Sequence, residues 1–198
     1  MITYEISFAI DNTCKIIIPL KDPIESLDPL YREIFFLLIN KKKIILSQST
    51  VYHNMIYLAE YLKKALNKKL FLDSFVTKNI GNRHNEYLYN ATNSSTSELS
   101  NDTDWIGYKY HLWSARNGLI SWDSWIYNDF DDSIIFEVTP IYPYLFSESE
   151  EEPNYISYEE WIKTYKPYFI TTLSKETAEQ WLKQAETIIK IVENNQKR

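Results

Sequence analysis

Residues 105–146 alternate aromatic and polar side chains on both sides of Asn117-Gly118, and this alternation limits the fold more than any other feature of the chain. A period of two is typical of β-strands, in which successive side chains point to opposite faces. Asn-Gly is the dipeptide preferred in a two-residue type I′ hairpin turn, because both central positions need a positive φ. The stretch therefore predicts an antiparallel meander of three strands.

A turn at Asn117-Gly118 also predicts the register of the first two strands, in which Trp113 lies opposite Trp122. A second turn of four residues at 129–132 then predicts the register of the third strand. One face of this sheet is almost wholly apolar, with Asp123 as its charged exception, and is predicted to meet the helices. Its other members are Tyr108, Tyr110, Leu112, Trp125, Tyr127, Ile134, Phe136 and Val138.

The opposite face of the predicted meander mixes charged, polar and aromatic side chains, namely Lys109, His111, Trp113, Trp122, Ser124, Ile126, Ile135 and Glu137. On this face His111, Ser124 and Glu137 form a row across three strands. Ser, His and a carboxylate make up a nucleophilic triad, but here Ser would separate the other two and no carboxylate would orient the imidazole. We therefore predict no catalytic residue, and a one-residue change in the length of the second turn would move Glu137 to the other face.

The N-terminal part of the chain predicts a hairpin, formed by residues 2–10 and 14–20 around Asp11-Asn12-Thr13. Asp28-Pro29 resembles an N-cap followed by proline at the first helical position, so a helix is predicted to run from there to Asn40. The apolar residues 44–46 predict a short strand. Ser49 or Thr50 then caps a helix whose apolar residues recur at helical spacing to Ala65.

Beyond this helix, residues 73–104 are rich in Asn, Ser and Thr and predict a polar loop or poorly ordered excursion, with one short helix at 83–90. Ser157 and Glu160 form a capping box at the start of a helix that ends before Pro167. Residues 168–172 predict an edge strand. Ser174 caps the last helix, which carries one apolar stripe from Ala178 to Val192.

Strands and helices follow one another without a repeating βαβ rhythm, which favours an α+β fold. We predict a single domain spanning residues 1–198, with an antiparallel β-sheet packed against about four helices. The N-terminal hairpin and the three-stranded meander supply the strands of that sheet. The length of 198 residues is ordinary for one domain.

The net charge, the cysteine content and the lack of long apolar stretches limit the classes of partner and the cellular location that we predict. A net charge of −6 disfavours nucleic acid, because such binding depends on Lys and Arg, and it also opposes single-strand binding through the indoles. Cys14 is the only cysteine, so no intramolecular disulfide forms. The chain shows no signal peptide and no stretch long enough for a membrane span, so we predict a cytoplasmic protein without membrane contact.

Metal and cofactor sites are also not predicted. His53, His84 and His111 stand far apart, without the spacing of a metal site. Residues 129–132 hold three aspartates but lack the glycine and distal glutamate of an EF-hand loop, which favours a solvated turn. Glycine-rich phosphate loops are absent, and the chain has three glycines in all. We therefore expect no cofactor.

These observations favour a small, acidic, non-enzymatic protein-binding module. Trp and Tyr commonly anchor protein interfaces, and the acidic charge suits a basic protein partner. The predicted binding residues lie on or beside the mixed face: Trp113, Trp122, His111, Glu137 and Lys109. In size, acidity, aromatic content and lack of catalytic motifs the chain resembles bacterial immunity proteins, which neutralise toxins. The resemblance rests on composition, covers no motif, and implies an inhibitor-type protein.

The alternative is a hydrolase or a sugar-active enzyme on the same sheet face. Sugars stack on exposed indoles, so Trp113 and Trp122 would form a platform beside His111. Glu137 or Asp123 would supply the carboxylate for acid–base chemistry.

Overall fold

The computed structural model describes residues 4–73, 80–93, 106–117, 120–145 and 154–196. These residues form two antiparallel four-stranded sheets and four α-helices, which confirms the α+β class. The first sheet has the order β1 (Tyr4–Ala9), β2 (Cys14–Leu20), β3 (Phe35–Ile39) and β4 (Lys42–Ser47). The second has the order β5 (His111–Asn117), β6 (Ile120–Asn128), β7 (Ile134–Pro140) and β8 (Phe169–Leu173). The helices are α1 (Val51–Leu66), α2 (Ile80–Asn93), α3 (Tyr158–Lys163) and α4 (Lys175–Asn195).

The N-terminal hairpin is confirmed, since β1 and β2 pair antiparallel. The Asp11 carboxylate closes its turn by accepting from the backbone N–H groups of Thr13 and Cys14, at 2.6 and 2.8 Å. Asp favours turns because its short side chain reaches nearby backbone donors in this way.

The helix predicted from Asp28 to Asn40 is wrong, because Phe35–Ile39 form β3 between β2 and β4. The Asp28 carboxylate accepts from the backbone N–H of Leu30 at 2.7 Å and closes a local turn, where a helix had been predicted to start. Asn40 and Lys41 have φ angles of 46° and 72°, as a type I′ turn requires. A continuous apolar run of this length fits a central strand as well as a helix.

The predicted helix caps are confirmed in three cases. The hydroxyls of Thr50, Ser157 and Ser174 each accept from the backbone N–H three residues later, at the starts of α1, α3 and α4. The short helix predicted at 83–90 exists and is longer, as α2. The rest of the predicted polar excursion, residues 74–79 and 94–104, lies outside the described residues.

The predicted edge strand is confirmed as β8, which pairs with β7. The predicted register of β5 and β6 is wrong, because Asn117 is part of β5 and pairs with Ile120. Trp113 consequently lies opposite Ser124 instead of Trp122. The connection consists of Gly118 and Leu119, which lie outside the described residues.

The predicted register of β6 and β7 is wrong by one residue. Asn128 pairs with Ile134, so the turn contains five residues, and Asp132 within it has a φ of 67°. Glu137 therefore lies opposite Trp125, on the face of Asp123, while Phe136 moves to the other face. The predicted row of His111, Ser124 and Glu137 does not form.

The main hydrophobic core is shared by both sheets, α1 and α4. The buried ring of Trp181 on α4 lies 5.7 Å from that of Phe8 on β1 and 6.0 Å from that of Phe136 on β7. Phe35 on β3 contacts Trp113 on β5, with ring centroids 5.3 Å apart. These contacts assign one face of the second sheet to the core and leave the face with Asp123 to be covered by α2.

Candidate functional site

A β-bulge in β5 brings His111 to the face of Asp123. His111 pairs with Trp125 while Trp113 pairs with Ser124, so Leu112 is an extra residue in β5. A bulge re-aims the side chains before it, and bulges are common next to functional sites.

Asp123 lies between two imidazoles. Its Oδ2 is 2.7 Å from Nε2 of His84 on α2, and its Oδ1 is 3.1 Å from Nε2 of His111. Asp123 and His84 are buried, whereas the His111 side chain remains 25% exposed. Because an ionised carboxylate only accepts hydrogen bonds, each imidazole donates from Nε2.

The two histidines stabilise the charge of Asp123. Burial alone would raise the pKa of this carboxyl, but the hydrogen bonds from His111 and His84 outweigh burial and hold the pKa well below its ordinary value. Asp123 therefore stays ionised and orients both rings.

α2 approaches the sheet closely enough for His84 to reach Asp123 because Gly81 has no side chain. A Cβ at Gly81 would collide with the hydroxyl of Tyr165 and the side chain of Thr139 on β7. His84 follows one turn later on the same side of the helix. Gly81 and His84 were not predicted as site residues, although a glycine inside a helix three residues before a histidine indicates close packing.

Glu137 is a second buried carboxyl on the Asp123 face. Its Oε2 accepts from the hydroxyl of Tyr127 at 2.7 Å, and its Oε1 has no hydrogen-bond partner among the described residues. Burial raises the pKa of Glu137 to about 7, and the bond from Tyr127 offsets only part of that effect.

The structure does not bring the five predicted binding residues together on one face. His111 and Glu137 share the Asp123 face, whereas Trp113 lies on the core face and is buried against Phe35. Trp122 is half-buried, and Lys109 precedes β5, where it pairs with Asp73. Their assignment to binding stays a prediction.

A different surface follows the outer edge of the second sheet. β8 pairs with β7 and with no other described strand, and Ile170 on it is 55% exposed. Tyr168 and Thr172, also exposed, lie on either side of Ile170 along the chain.

Next to this edge lies an open cleft of about 440 Å³, and half of the residues in its described lining are aromatic. Its lining includes Trp122, Pro140, Trp161, Tyr165, Lys166 and Tyr168. The ring of Trp122 meets that of Tyr168 edge-on at 5.0 Å, and that of Trp161 meets Tyr165 at 5.5 Å. We refer to Tyr168, Ile170, Thr172 and this cleft together as the β8 surface.

The described residues were also searched for metal-binding clusters and for membrane-spanning helices. Within them, no group of three or more His, Cys, Asp or Glu side chains has an arrangement suited to a metal ion. None of the helices found there combines the length and the apolar character needed to cross a membrane.

No protein-family model matches the chain, and neither a curated protein nor a solved structure shows significant similarity to it.

Proposed function

We propose that this protein is a non-enzymatic protein-binding module that accepts an extended segment of a basic partner protein at the open edge of β8. The observation that carries the proposal is the chemistry of the sheet edges. Of the four edge strands in the described sheets, β8 is the one without a charged side chain.

The other three edges carry charges that oppose strand addition. β1 contains Glu5, β4 contains Lys42 and Lys43, and β5 contains Arg116. Charged side chains on an edge strand discourage pairing with another chain, because pairing would desolvate them. The sequence Phe-Ile-Thr-Thr-Leu of β8 has high β-propensity and lacks this protection.

Strand addition gives affinity through main-chain hydrogen bonds and specificity through side chains at alternate positions. Ile170 and Thr172 supply the alternate contacts along β8. The adjoining cleft supplies an anchor pocket for an aromatic or aliphatic side chain, since Lys166 is the one charged residue in its described lining.

The charge of the whole chain favours a basic partner. A net charge of −6 raises the association rate with an oppositely charged protein, while apolar contacts at the β8 surface supply the affinity. An inhibitor or immunity-type protein would act in this way by covering a working surface of its partner.

The proposal is tested with Ile170→Lys, which places a charge on the open edge. Wild-type and variant proteins are used to capture partners from the native host, and each captured protein is purified and titrated by biolayer interferometry. Loss of an interface anchor costs about 2 kcal/mol, so we expect the dissociation constant to rise at least about tenfold.

Leu30→Lys is the matched control, because Leu30 is 79% exposed and lies outside the second sheet. It should leave the dissociation constant unchanged. Equal weakening by both variants would contradict the proposal, as would a wild-type dimer that Ile170→Lys dissociates, since the edge would then serve a second copy of the chain.

A further inference from the structure

The two ends of β8 differ in the charges that surround them. At its start, the cleft of the β8 surface has Lys166 in its lining, and this exposed lysine makes no ion pair with the described residues. At its end, Thr172 and Leu173 line a second cavity of about 370 Å³, which also has Asp131 and Asp132 in its lining. A segment bound along β8 would therefore reach a lysine at one end and carboxylates at the other.

The cavity at the end of β8 contains two lysines as well, but both of them are paired. Lys68 pairs with Asp132. Lys175 lies 3.7 Å from Glu179 on α4. Asp131 is exposed and forms no ion pair with the described residues. Its carboxylate is therefore available to a basic side chain of a bound segment.

The pairing of the second sheet favours one direction for an added strand. The strands β5, β6, β7 and β8 all pair antiparallel with their neighbours. Antiparallel pairing is slightly more stable per residue than parallel pairing, so an added strand that continues this sheet runs opposite to β8. Its carboxyl end then lies beside the start of β8, at the cleft, and its amino end lies near Asp131.

The lining of the cleft matches the last residue of a chain. A C-terminal residue carries an apolar side chain and a carboxylate on the same Cα. The cleft offers the rings of Trp122, Trp161 and Tyr168 to such a side chain, and Lys166 as a cation for the carboxylate. An internal segment would bring side chains to the cleft but no main-chain carboxylate.

We propose that the segment bound at β8 is the C-terminal end of the partner chain, antiparallel to β8, with its terminal carboxylate at Lys166 and a Lys or Arg at Asp131. β8 has five residues, Phe169–Leu173, and a strand rises about 3.3 Å per residue, so the basic residue stands about five positions before the C-terminus. This inference rests on the proposed function and adds the terminus, the direction and the charge pattern of the bound segment.

The test uses two peptide libraries displayed on a carrier protein and selected against the full chain. In the first library, about seven random residues, enough to span β8, end in a free carboxylate. In the second, the same residues are followed by a Gly-Ser-Gly-Ser tail. We expect enrichment from the first library alone, of sequences with an apolar last residue and a basic residue about five positions before it.

The most enriched sequence is then synthesised as the free acid and as the C-terminal amide, and each peptide is titrated by isothermal calorimetry. The acid should bind at least about tenfold more tightly than the amide, because the amide has no charge to pair with the lysine. Lys166→Gln should remove this difference by weakening the acid. Lys163→Gln, at an exposed lysine outside the described lining of the cleft, is the matched control and should retain it.

Ile170→Lys separates this inference from strand addition itself, since it should weaken the acid and the amide alike. Equal enrichment of both libraries, equal binding of acid and amide, or a difference that persists in Lys166→Gln would overturn the C-terminal assignment. Strand addition at β8 would still stand in those cases if Ile170→Lys abolished binding. Peptide binding that survives Ile170→Lys, or no enrichment from either library, would contradict both proposals.

Discussion

Asp123 keeps its negative charge in the interior because two imidazole N–H groups face its two oxygens. Asp123→Asn leaves one accepting oxygen and turns an NH₂ group towards the second imidazole N–H. We expect the free energy of unfolding at pH 7 to fall by about 3 kcal/mol, measured by urea denaturation. Asp22→Asn, at an exposed carboxylate, is the control and should have little effect; equal losses in both variants would contradict the role of the two histidines.

Glu137 makes stability depend on pH. Burial raises its pKa from an ordinary 4.5 to about 7, so between these values the unfolded chain has lost this proton while the folded chain keeps it. The contribution of Glu137 to the free energy of unfolding therefore falls as the pH rises through this window, by about 3 kcal/mol in all. Glu137→Gln should match wild type near pH 4 and exceed its stability at pH 8, in urea denaturation at both values.

The control for this pH dependence is Glu179→Gln, at an exposed glutamate on α4. It should keep the wild-type dependence. An unchanged pH dependence in Glu137→Gln would show that burial does not hold the proton on this carboxyl.

The contacts of Asp123 with His111 and His84 were not predicted from the sequence. His111 and Asp123 were recognised as unusual positions, but they were predicted on opposite faces because the extra residue at Leu112 leaves no mark in the period-two pattern. His84 was missed because its partner lies 39 positions later, and sequence periodicity reports neighbours within one element only.

The turn of the β3–β4 hairpin holds a lysine in an unfavourable backbone conformation. Lys41 has a φ of 72°, a left-handed conformation that L-residues adopt at a cost and glycine adopts freely. Lys41→Gly should therefore raise the free energy of unfolding by about 0.5–1 kcal/mol, measured by urea denaturation. Lys43→Gly, within β4, should lower it by a similar amount because glycine weakens a strand interior; a loss in both variants would contradict the turn assignment.

Helices with a capping residue at their start were predictable from the sequence. The faces of the strands were not, because they depend on the lengths of the turns. Hydroxyl caps at Thr50, Ser157 and Ser174 mark α1, α3 and α4 in the sequence itself. Strand faces depend on whether a connection has four residues or five, and the turn before Ile134 has one more than predicted. That one residue exchanged Glu137 and Phe136 between the two faces.

The two sheets of the whole molecule were predicted as one, because nothing local tells which strands of an antiparallel protein share a sheet. The helix α4 joins the two sheets, since its Trp181 contacts Phe8 in the first sheet and Phe136 in the second. Its indole N–H also donates to the carbonyl of Ala9 at 2.8 Å. The last helix thus ties the start of the chain to the second sheet.

Trp181→Ala should therefore destabilise both sheets together, by about 3–5 kcal/mol, because it removes a large buried side chain that contacts both. Trp181→Phe keeps an aromatic ring but leaves the Ala9 carbonyl without its donor, so we expect a smaller loss of about 1–3 kcal/mol. In Trp181→Ala the rate of backbone hydrogen exchange should rise in β2 and in β7 to the same extent, because opening of the shared core exposes both strands. Thr187→Ala, on the exposed face of α4, is the control, and faster exchange in one sheet alone would show that the sheets unfold independently.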